Sequence, residues 1–143
     1  MNWEIYFIQG MELLFLGIAA YQDLKFREIS IKLFLVFGFL AIIFNLFWRY
    51  QSIECVLTGV VLGSGFLLVS RLTKEAIGYG DSLGMIVLGI FAGGELLLHI
   101  VFVSGIFSGV YGLWMLLWLK SSARDTLPFF PFLFLGAMGG MFL

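Results

Sequence analysis

The sequence predicts an all-α polytopic membrane protein with six transmembrane helices and both termini on the outer side of the membrane. The first observation is composition, since 62% of the 143 residues are hydrophobic and 12% are charged. Soluble domains average about half apolar and about a quarter charged residues, so this composition is typical of a chain embedded in lipid. The second observation is a series of long apolar stretches, and the third is the placement of the basic residues. We expect a single transmembrane domain over residues 1–143.

The first half of the chain predicts three spans, at residues 3–21, 33–48 and 55–72. Each approaches the roughly 20 apolar residues that are needed to cross ~30 Å of hydrocarbon. Short polar segments separate them. These three helices therefore follow from length and apolar content alone.

The second half of the chain requires a break within its apolar run. Residues 83–119 form a 37-residue apolar stretch, which is too long for one crossing. The sequence Gly93-Gly94-Glu95 interrupts it and predicts a fourth span near residues 82–93 and a fifth at residues 100–119. A sixth, at residues 128–143, would be ~24 Å long at 1.5 Å per residue, which is short for a span.

The basic residues support this count of six. With six spans, the loops after the first, third and fifth helices contain seven of the eight basic residues: Lys25, Arg27, Lys32, Arg71, Lys74, Lys120 and Arg124. Arg49 alone lies on the other side. Because cytoplasmic loops carry an excess of Lys and Arg, these three loops are predicted to be cytoplasmic.

Composition also excludes several functions. A net charge of −1 gives no electrostatic footprint for nucleic acid. One cysteine, Cys55, forms no intramolecular disulfide and no cysteine-based zinc cluster. A His-Glu-x-x-His metalloprotease site needs two histidines, and the chain has only His99. We therefore expect no metal and no cofactor.

Two aspartates at the cytoplasmic ends of predicted helices are the candidate functional residues. Asp23 follows the first span and Asp81 closes Gly78-Tyr79-Gly80-Asp81 before the fourth. An ionisable residue near hydrocarbon is costly and marks a functional site by default. Two carboxylates brought together can share one proton and activate water for peptide hydrolysis. The alternative for Asp81 is an N-cap of the fourth helix.

The surroundings of these acids also have two interpretations. The glycines of Gly78-Tyr79-Gly80 remove bulk beside Asp81, so that a substrate backbone can approach closely. Lys25, Arg27 and Lys32 are interpreted as topology determinants at the lipid headgroups, or alternatively as groups that hold Asp23 ionised. Farther along, Pro128 and Pro131 open the last helix, where proline suits the first turn.

Together these segments resemble the type IV prepilin peptidase family, membrane aspartic proteases of the Gly-x-Gly-Asp kind. The pattern around the first acid of that family is matched by Asp23, Lys25, Arg27 and Ile29. The second acid is carried by Gly78, Gly80 and Asp81. The opening of the last helix is matched by Pro128, Phe129, Pro131 and Phe132. The order and spacing of the motifs agree over nearly the whole chain.

The sequence departs from the family at a few positions. Ser30 and Ile31 stand where the family pattern has Pro-Asn, and Leu83 stands where a lysine is common. Larger members carry a methyltransferase domain with a four-cysteine metal site between the first two spans. Here that interval is a short loop without cysteine, so the resemblance implies a minimal form with peptidase activity only.

The resemblance implies an aspartic endopeptidase of the cytoplasmic membrane, in contact with lipid, that removes the leader of a prepilin or pilin-like precursor. Asp23 and Asp81 would be its catalytic residues. Glu28, Glu75 and Asp125 lie on the same predicted face and could attract a basic leader, or could be ordinary solvated loop charges.

Other classes remain open at this point. A non-catalytic transporter or assembly subunit would use the acids to bind a cation or a proton, and a transporter typically keeps such acids near the bilayer midplane. A rhomboid-like serine protease would use Ser104 or Ser108 together with His99. Neither serine, however, lies in the motif expected of such a protease. Four Gly-x3-Gly spacings, which begin at Gly59, Gly89, Gly105 and Gly136, predict close helix packing or, alternatively, the face of a homo-oligomer.

Overall fold

A computed structural model describes residues 3–26, 28–73, 79–118 and 129–142 of the chain. Within these residues the regular structure consists of six α-helices: α1 (Trp3–Phe26), α2 (Ile31–Trp48), α3 (Ile53–Leu72), α4 (Tyr79–Ala92), α5 (Gly94–Trp118) and α6 (Phe130–Phe142). The predicted all-α class is confirmed for the described part of the chain.

The helices fall into two groups by length. Among the described residues α1, α2, α3 and α5 are long and apolar enough to cross a membrane, whereas α4 and α6 are shorter apolar helices. At 1.5 Å per residue, the 14 residues of α4 extend ~21 Å, which is less than the ~30 Å of the hydrocarbon core. The six predicted apolar segments are therefore all helical, but only four of the described helices are long enough to span a membrane.

The break that was predicted inside the long apolar run is present. Helix α4 ends at Ala92, α5 begins at Gly94, and Gly93 between them has φ +82°. Glycine adopts this left-handed conformation without a steric penalty, which is why the chain can turn within one residue. The predicted start of the fifth helix at residue 100 was too late, because the polar residues Glu95 and His99 continue the helix.

Helix α1 also extends beyond its predicted end. It continues past Tyr21 to Phe26, so that Asp23, which was predicted at the end of this helix, lies in its last turn. The helix continues because its backbone hydrogen bonds do not depend on an apolar environment, whereas the hydropathy signal ends with the hydrocarbon. Asp23 is consequently held by regular backbone.

Helix α4 lies at the centre of the bundle. Nine of its 14 residues are buried, and it contacts α1, α2, α3 and α5. The core continues between α1 and α6, where Phe15, Leu16, Phe130 and Leu133 are fully buried. The short helix α4 is thus enclosed by longer helices, and α6 packs against α1 and α5.

The closest helix contact joins α3 to α4 through glycines. A Cβ atom added to Gly59 would lie 2.7 Å from the carbonyl carbon of Gly89, and one added to Gly63 would lie 2.7 Å from the Cα atom of Ile86. The prediction of close packing is therefore confirmed at these positions. It is also confirmed at Gly136, where a Cβ atom would lie 2.9 Å from the Ile100 carbonyl oxygen.

The packing prediction is wrong for the third spacing. Cβ atoms at Gly105 and Gly109 would meet nothing within 4 Å among the described residues, because this half of α5 is largely exposed. The alternative of an oligomer face at Gly105 and Gly109 stays a prediction.

The end of α4 at Ala92 is fixed by side chains from the connection between α2 and α3. The Tyr50 hydroxyl and the Gln51 side-chain amide both donate to the Phe91 carbonyl oxygen, at 3.0 and 2.9 Å. The last carbonyl groups of a helix have no partner within the helix, so these donors satisfy one of them. Burial, together with the nearby Glu12 carboxylate, raises the pKa of Tyr50, so the hydroxyl keeps the proton that it donates.

We expect Gly59→Ala to lower the free energy of unfolding by about 1–3 kcal/mol, because the added methyl group must separate the backbones of α3 and α4. The matched control is Gly65→Ala on the same helix, where a Cβ atom would meet nothing within 4 Å. Equilibrium unfolding in detergent micelles compares the two variants. Equal stabilities would contradict the close backbone contact.

Candidate active site

Asp23 lies in the last turn of α1 and is half-buried. Its Oδ2 atom accepts a hydrogen bond from the backbone N–H of Phe130, at 3.3 Å. The two residues are 107 positions apart in the sequence, so this bond joins the end of α1 to the start of α6. A carboxylate at a helix N-terminus is favoured because the first N–H groups of a helix lack partners within it.

The first turn of α6 explains why the Phe130 N–H is available. Phe130 is the first helical residue, and Pro131, the second, has no N–H. Phe132 and Leu133 donate to the Phe129 carbonyl oxygen, at 3.0 and 3.1 Å. The predicted placement of Pro131 in the first helical turn is confirmed.

Asp81 lies in the first turn of α4 and is also half-buried. Asp81 lies at the same end of the bundle as Asp23, because Phe130 bonds to Asp23 and its ring packs against Gly84, three residues after Asp81. Helix α4 begins at Tyr79, which makes Asp81 its third residue. The alternative of an N-cap role for Asp81 is therefore wrong.

Open space lies beside Asp81. A Cβ atom added to Gly80 would meet nothing within 4 Å among the described residues. Gly84 lies one helical turn further along α4, and there a Cβ atom would come within 2.6 Å of the Phe130 ring. The two glycines thus mark an open and a filled position on one face of the helix.

Two polar side chains that sequence reasoning missed form hydrogen bonds that connect the helices beside the acids. Ser82, which is fully buried, donates to the Phe66 carbonyl oxygen at 3.3 Å and ties the start of α4 to α3. Gln22 accepts a hydrogen bond from the Ser30 N–H at 3.0 Å and closes the connection from α1 to α2. The only sequence signal for either residue is its position next to an aspartate.

The other predicted site residues are placed as follows. Lys25 is exposed, and its Nζ atom donates to the Tyr21 hydroxyl at 3.0 Å and lies over the rings of Tyr21 and Phe26. Glu28 is exposed. The predicted residues Arg27, Glu75, Gly78, Asp125 and Pro128 lie outside the described residues.

The residues of the serine-protease alternative form no comparable arrangement. Ser104 is fully buried, and its hydroxyl donates to the Ile100 carbonyl oxygen on its own helix. His99 is exposed near the start of α5. Among the described residues no group of three or more His, Cys, Asp and Glu side chains could hold a metal ion.

Comparisons with known proteins place these features in a family. The model of the type IV leader peptidase family matches residues 11–113, which include both Asp23 and Asp81. A prepilin leader peptidase/N-methyltransferase of Stutzerimonas stutzeri is 31% identical over 132 residues. The matched region covers 87% of this chain and 46% of that relative, so the chain spans about half of the relative's length. No solved structure gives a significant match.

The family match covers well over half of the chain and includes both aspartates that the bundle brings to one end. The match to the relative is compatible with the predicted minimal form. The chain is a member of the type IV leader peptidase family.

Proposed function

We propose that this protein is a membrane aspartic endopeptidase that removes the leader peptide of prepilin or pilin-like precursors. Family membership and the name of the relative from Stutzerimonas stutzeri support this class of reaction. The observation that carries the proposal is the placement of Asp23 and Asp81 at one end of the bundle, where Phe130 bonds to Asp23 and packs against Gly84, three residues after Asp81. Two carboxylates in this arrangement are sufficient for peptide hydrolysis without a metal ion or a covalent nucleophile.

The proposed mechanism uses one shared proton. Two like charges at a half-buried site do not both form easily, so one of the two acids keeps its proton near neutral pH. The ionised partner accepts a proton from water as the water attacks the scissile carbonyl carbon. The neutral partner donates its proton to the carbonyl oxygen, and a tetrahedral intermediate results. The apparent ionisation constants belong to the pair and not to either residue.

The space beside Gly80 suits an extended substrate backbone. No side chain occupies it among the described residues, and it adjoins Asp81. An extended peptide that lies there would place its carbonyl group beside the acid. Gly78, whose position lies outside the described residues, would extend this clearance.

We further propose that all six helices belong to one transmembrane domain over residues 1–143, with both termini outside and the acids at the cytoplasmic face. The four long apolar helices and the bias of basic residues support this topology. Helices α4 and α6 are short, but the other helices surround α4, so it can cross within protein instead of lipid. The bilayer concerned would be the cytoplasmic membrane.

Three acidic residues of this face would bind the leader. Glu28 is exposed next to the end of α1, and Glu75 and Asp125 belong to the other two loops of the proposed cytoplasmic side. Their negative charges would attract the basic leader that the family resemblance implies. Such an attraction between exposed charges weakens as salt screens it.

The competing function is a transporter or assembly subunit that binds a cation or a proton at the two aspartates. A transporter is expected to hold its acids near the middle of the bilayer. Asp23 and Asp81 instead lie in a last and a first helical turn, at the end of the bundle. The peptidase is therefore the better-supported function.

We expect Asp23→Asn and Asp81→Asn each to reduce cleavage of a prepilin reporter by about 100- to 10,000-fold, because each removes one half of the acid–base pair. Cleavage by protein in proteoliposomes measures the effect, and thermal unfolding shows whether the variants are folded. Glu54→Gln, an exposed carboxylate in the first turn of α3, is the control. Either folded aspartate variant with wild-type cleavage would contradict the proposal.

We expect the triple variant Glu28→Gln, Glu75→Gln and Asp125→Asn to raise KM for a reporter with a basic leader several-fold at low salt. The kcat should stay unchanged, since none of the three residues belongs to the proposed acid pair. Steady-state kinetics at low and high salt would measure both quantities. A KM that equals the wild-type value at every salt concentration would assign these residues to ordinary solvated loops.

We expect Cys55, which is exposed near the start of α3, to react with a membrane-impermeant maleimide added outside intact cells. The proposed topology places this end of the bundle outside. Because the chain has one cysteine, the natural protein needs no engineered reporter, and Cys55→Ser is the blank. Labelling only after the cells are opened would reverse the proposed orientation.

A further inference from the structure

We propose that Phe130 is a positioning residue that sets the Asp23 carboxylate relative to Asp81. This inference rests on the proposed function for its catalytic meaning, although the contact itself does not. The backbone N–H of Phe130 donates to Asp23, and its ring packs against Gly84 of α4. One residue thus contacts both helices that carry the acids. Neither the first nor the second acid motif includes it.

The ring of Phe130 fixes the register of α6 against α4. Phe130 is fully buried, and its ring takes the space that a side chain at position 84 would need. Gly84 lies three residues after Asp81, so both face the same side of α4. The contact between the Phe130 ring and Gly84 therefore lies about one helical turn from Asp81.

Aromatic contacts from α2 also hold the ring. The ring of Phe34 in α2 packs against that of Phe130, with centroids 6.2 Å apart. Phe34 in turn packs edge-on against Phe15 of α1, also at 6.2 Å between centroids. The ring therefore has contacts from α2 and α4 that restrict its movement, and the backbone of Phe130 moves with it.

The backbone of Phe130 transmits this position to Asp23. Its N–H is the first of α6, and it reaches the Oδ2 atom of Asp23 at 3.3 Å. A hydrogen bond to the charged form of a carboxylate favours ionisation. Loss of this donor should therefore do two things: it should release the orientation of Asp23, and it should make Asp23 harder to ionise.

The charged groups on the elements around Asp23 would also influence its titration. From α4, Asp81 repels the charge of Asp23. On α1, Lys25 is engaged with the Tyr21 hydroxyl. The described part of α6 contains no charged residue, and the side chains of Glu28 after α1, Lys32 in α2 and Arg71 at the end of α3 are exposed.

The test uses Gly84→Ala, whose methyl group displaces the ring and with it the N–H. The matched control is Gly139→Ala on α6, where a Cβ atom would meet nothing within 4 Å. The chain has only three aspartates, so carbon-13 labelling of the aspartate carboxyl groups gives three NMR signals. In an Asp81→Asn background two signals remain, from Asp23 and Asp125, and the titration of Asp23 is isolated from its coupling with the second acid.

We expect Gly84→Ala to move the titration midpoint of Asp23 upward by about one pH unit. In protein that retains Asp81, the same change should reduce kcat about 10- to 100-fold and leave KM within about twofold, because the two acids are misplaced and not the substrate. Gly139→Ala should change neither quantity. An Asp23 midpoint that is the same in Gly84→Ala and in the control would overturn the inference.

A double variant keeps the test decisive if Gly84→Ala alone fails to fold. Phe130→Leu removes the ring but keeps the backbone N–H, and it makes room for the methyl group at position 84. The combination should therefore fold, and its Asp23 midpoint should lie closer to the wild-type value than that of Phe130→Leu alone, in which the space beside Gly84 is empty. Equal Asp23 midpoints in Phe130→Leu and in wild type would contradict a positioning role of the ring.

The outcomes separate this inference from the proposed function. If the midpoint of Asp23 moves but Asp23→Asn still cleaves the reporter, the contact is real and the peptidase mechanism fails. If the midpoint stays fixed while both aspartate variants lose cleavage, the mechanism stands and the role of Phe130 fails.

Discussion

The structure depends on the enclosure of α4 by protein. Its 14 residues cannot cross the hydrocarbon alone, and a polar helix end within lipid would leave backbone groups without partners. The glycine contacts with α3 let the two backbones approach closely, and the donors from Tyr50 and Gln51 satisfy the other end of the helix. A short central helix has a functional consequence. It places the acid of its first turn on the central helix of the bundle, where the side chain is half-buried.

Asp23 reaches the same place in a different way. It belongs to a long helix that continues beyond its apolar stretch, so its carboxylate is supported by regular backbone up to the end of the bundle. The proximity of a like charge would tend to separate the two acids, and the last turn of α1 does not favour a negative charge. The N–H group at the start of α6 opposes both effects. Three helix ends therefore lie at the site: the carboxyl end of α1 and the amino ends of α4 and α6. The partial positive charge of the two amino ends favours a carboxylate, whereas the partial negative charge of the carboxyl end does not.

Sequence reasoning selected the two acids as candidates and predicted the all-α class, which the described residues confirm. Charges beside long apolar stretches are rare, so Asp23 and Asp81 were conspicuous, and Gly93 identified the break between α4 and α5. The helix ends were less accurate, because hydropathy reports the lipid boundary and not the backbone. The contact of Phe130 with Gly84 could not be predicted, because it joins residues far apart in the sequence. The sequence alone also does not show which glycines are packed against another helix and which face open space. Gly59 and Gly105 both begin a Gly-x3-Gly spacing. A Cβ atom at Gly59 would meet the backbone of α4, whereas one at Gly105 would meet nothing within 4 Å among the described residues.

Gly80 and Gly84 show how one helix face can serve two purposes. They are four residues apart, so they lie on the same side of α4, with Asp81 between them. At Gly84 the ring of Phe130 takes the space of the missing side chain, so that this position is packed. At Gly80 the space remains open among the described residues. The proposed peptidase would need both conditions, a packed support for its two carboxylates and open space for a peptide. An alanine in place of Gly80 would extend its methyl group into the open space beside Asp81. An alanine in place of Gly84 would instead displace the ring of Phe130, because the same methyl group there meets packed protein.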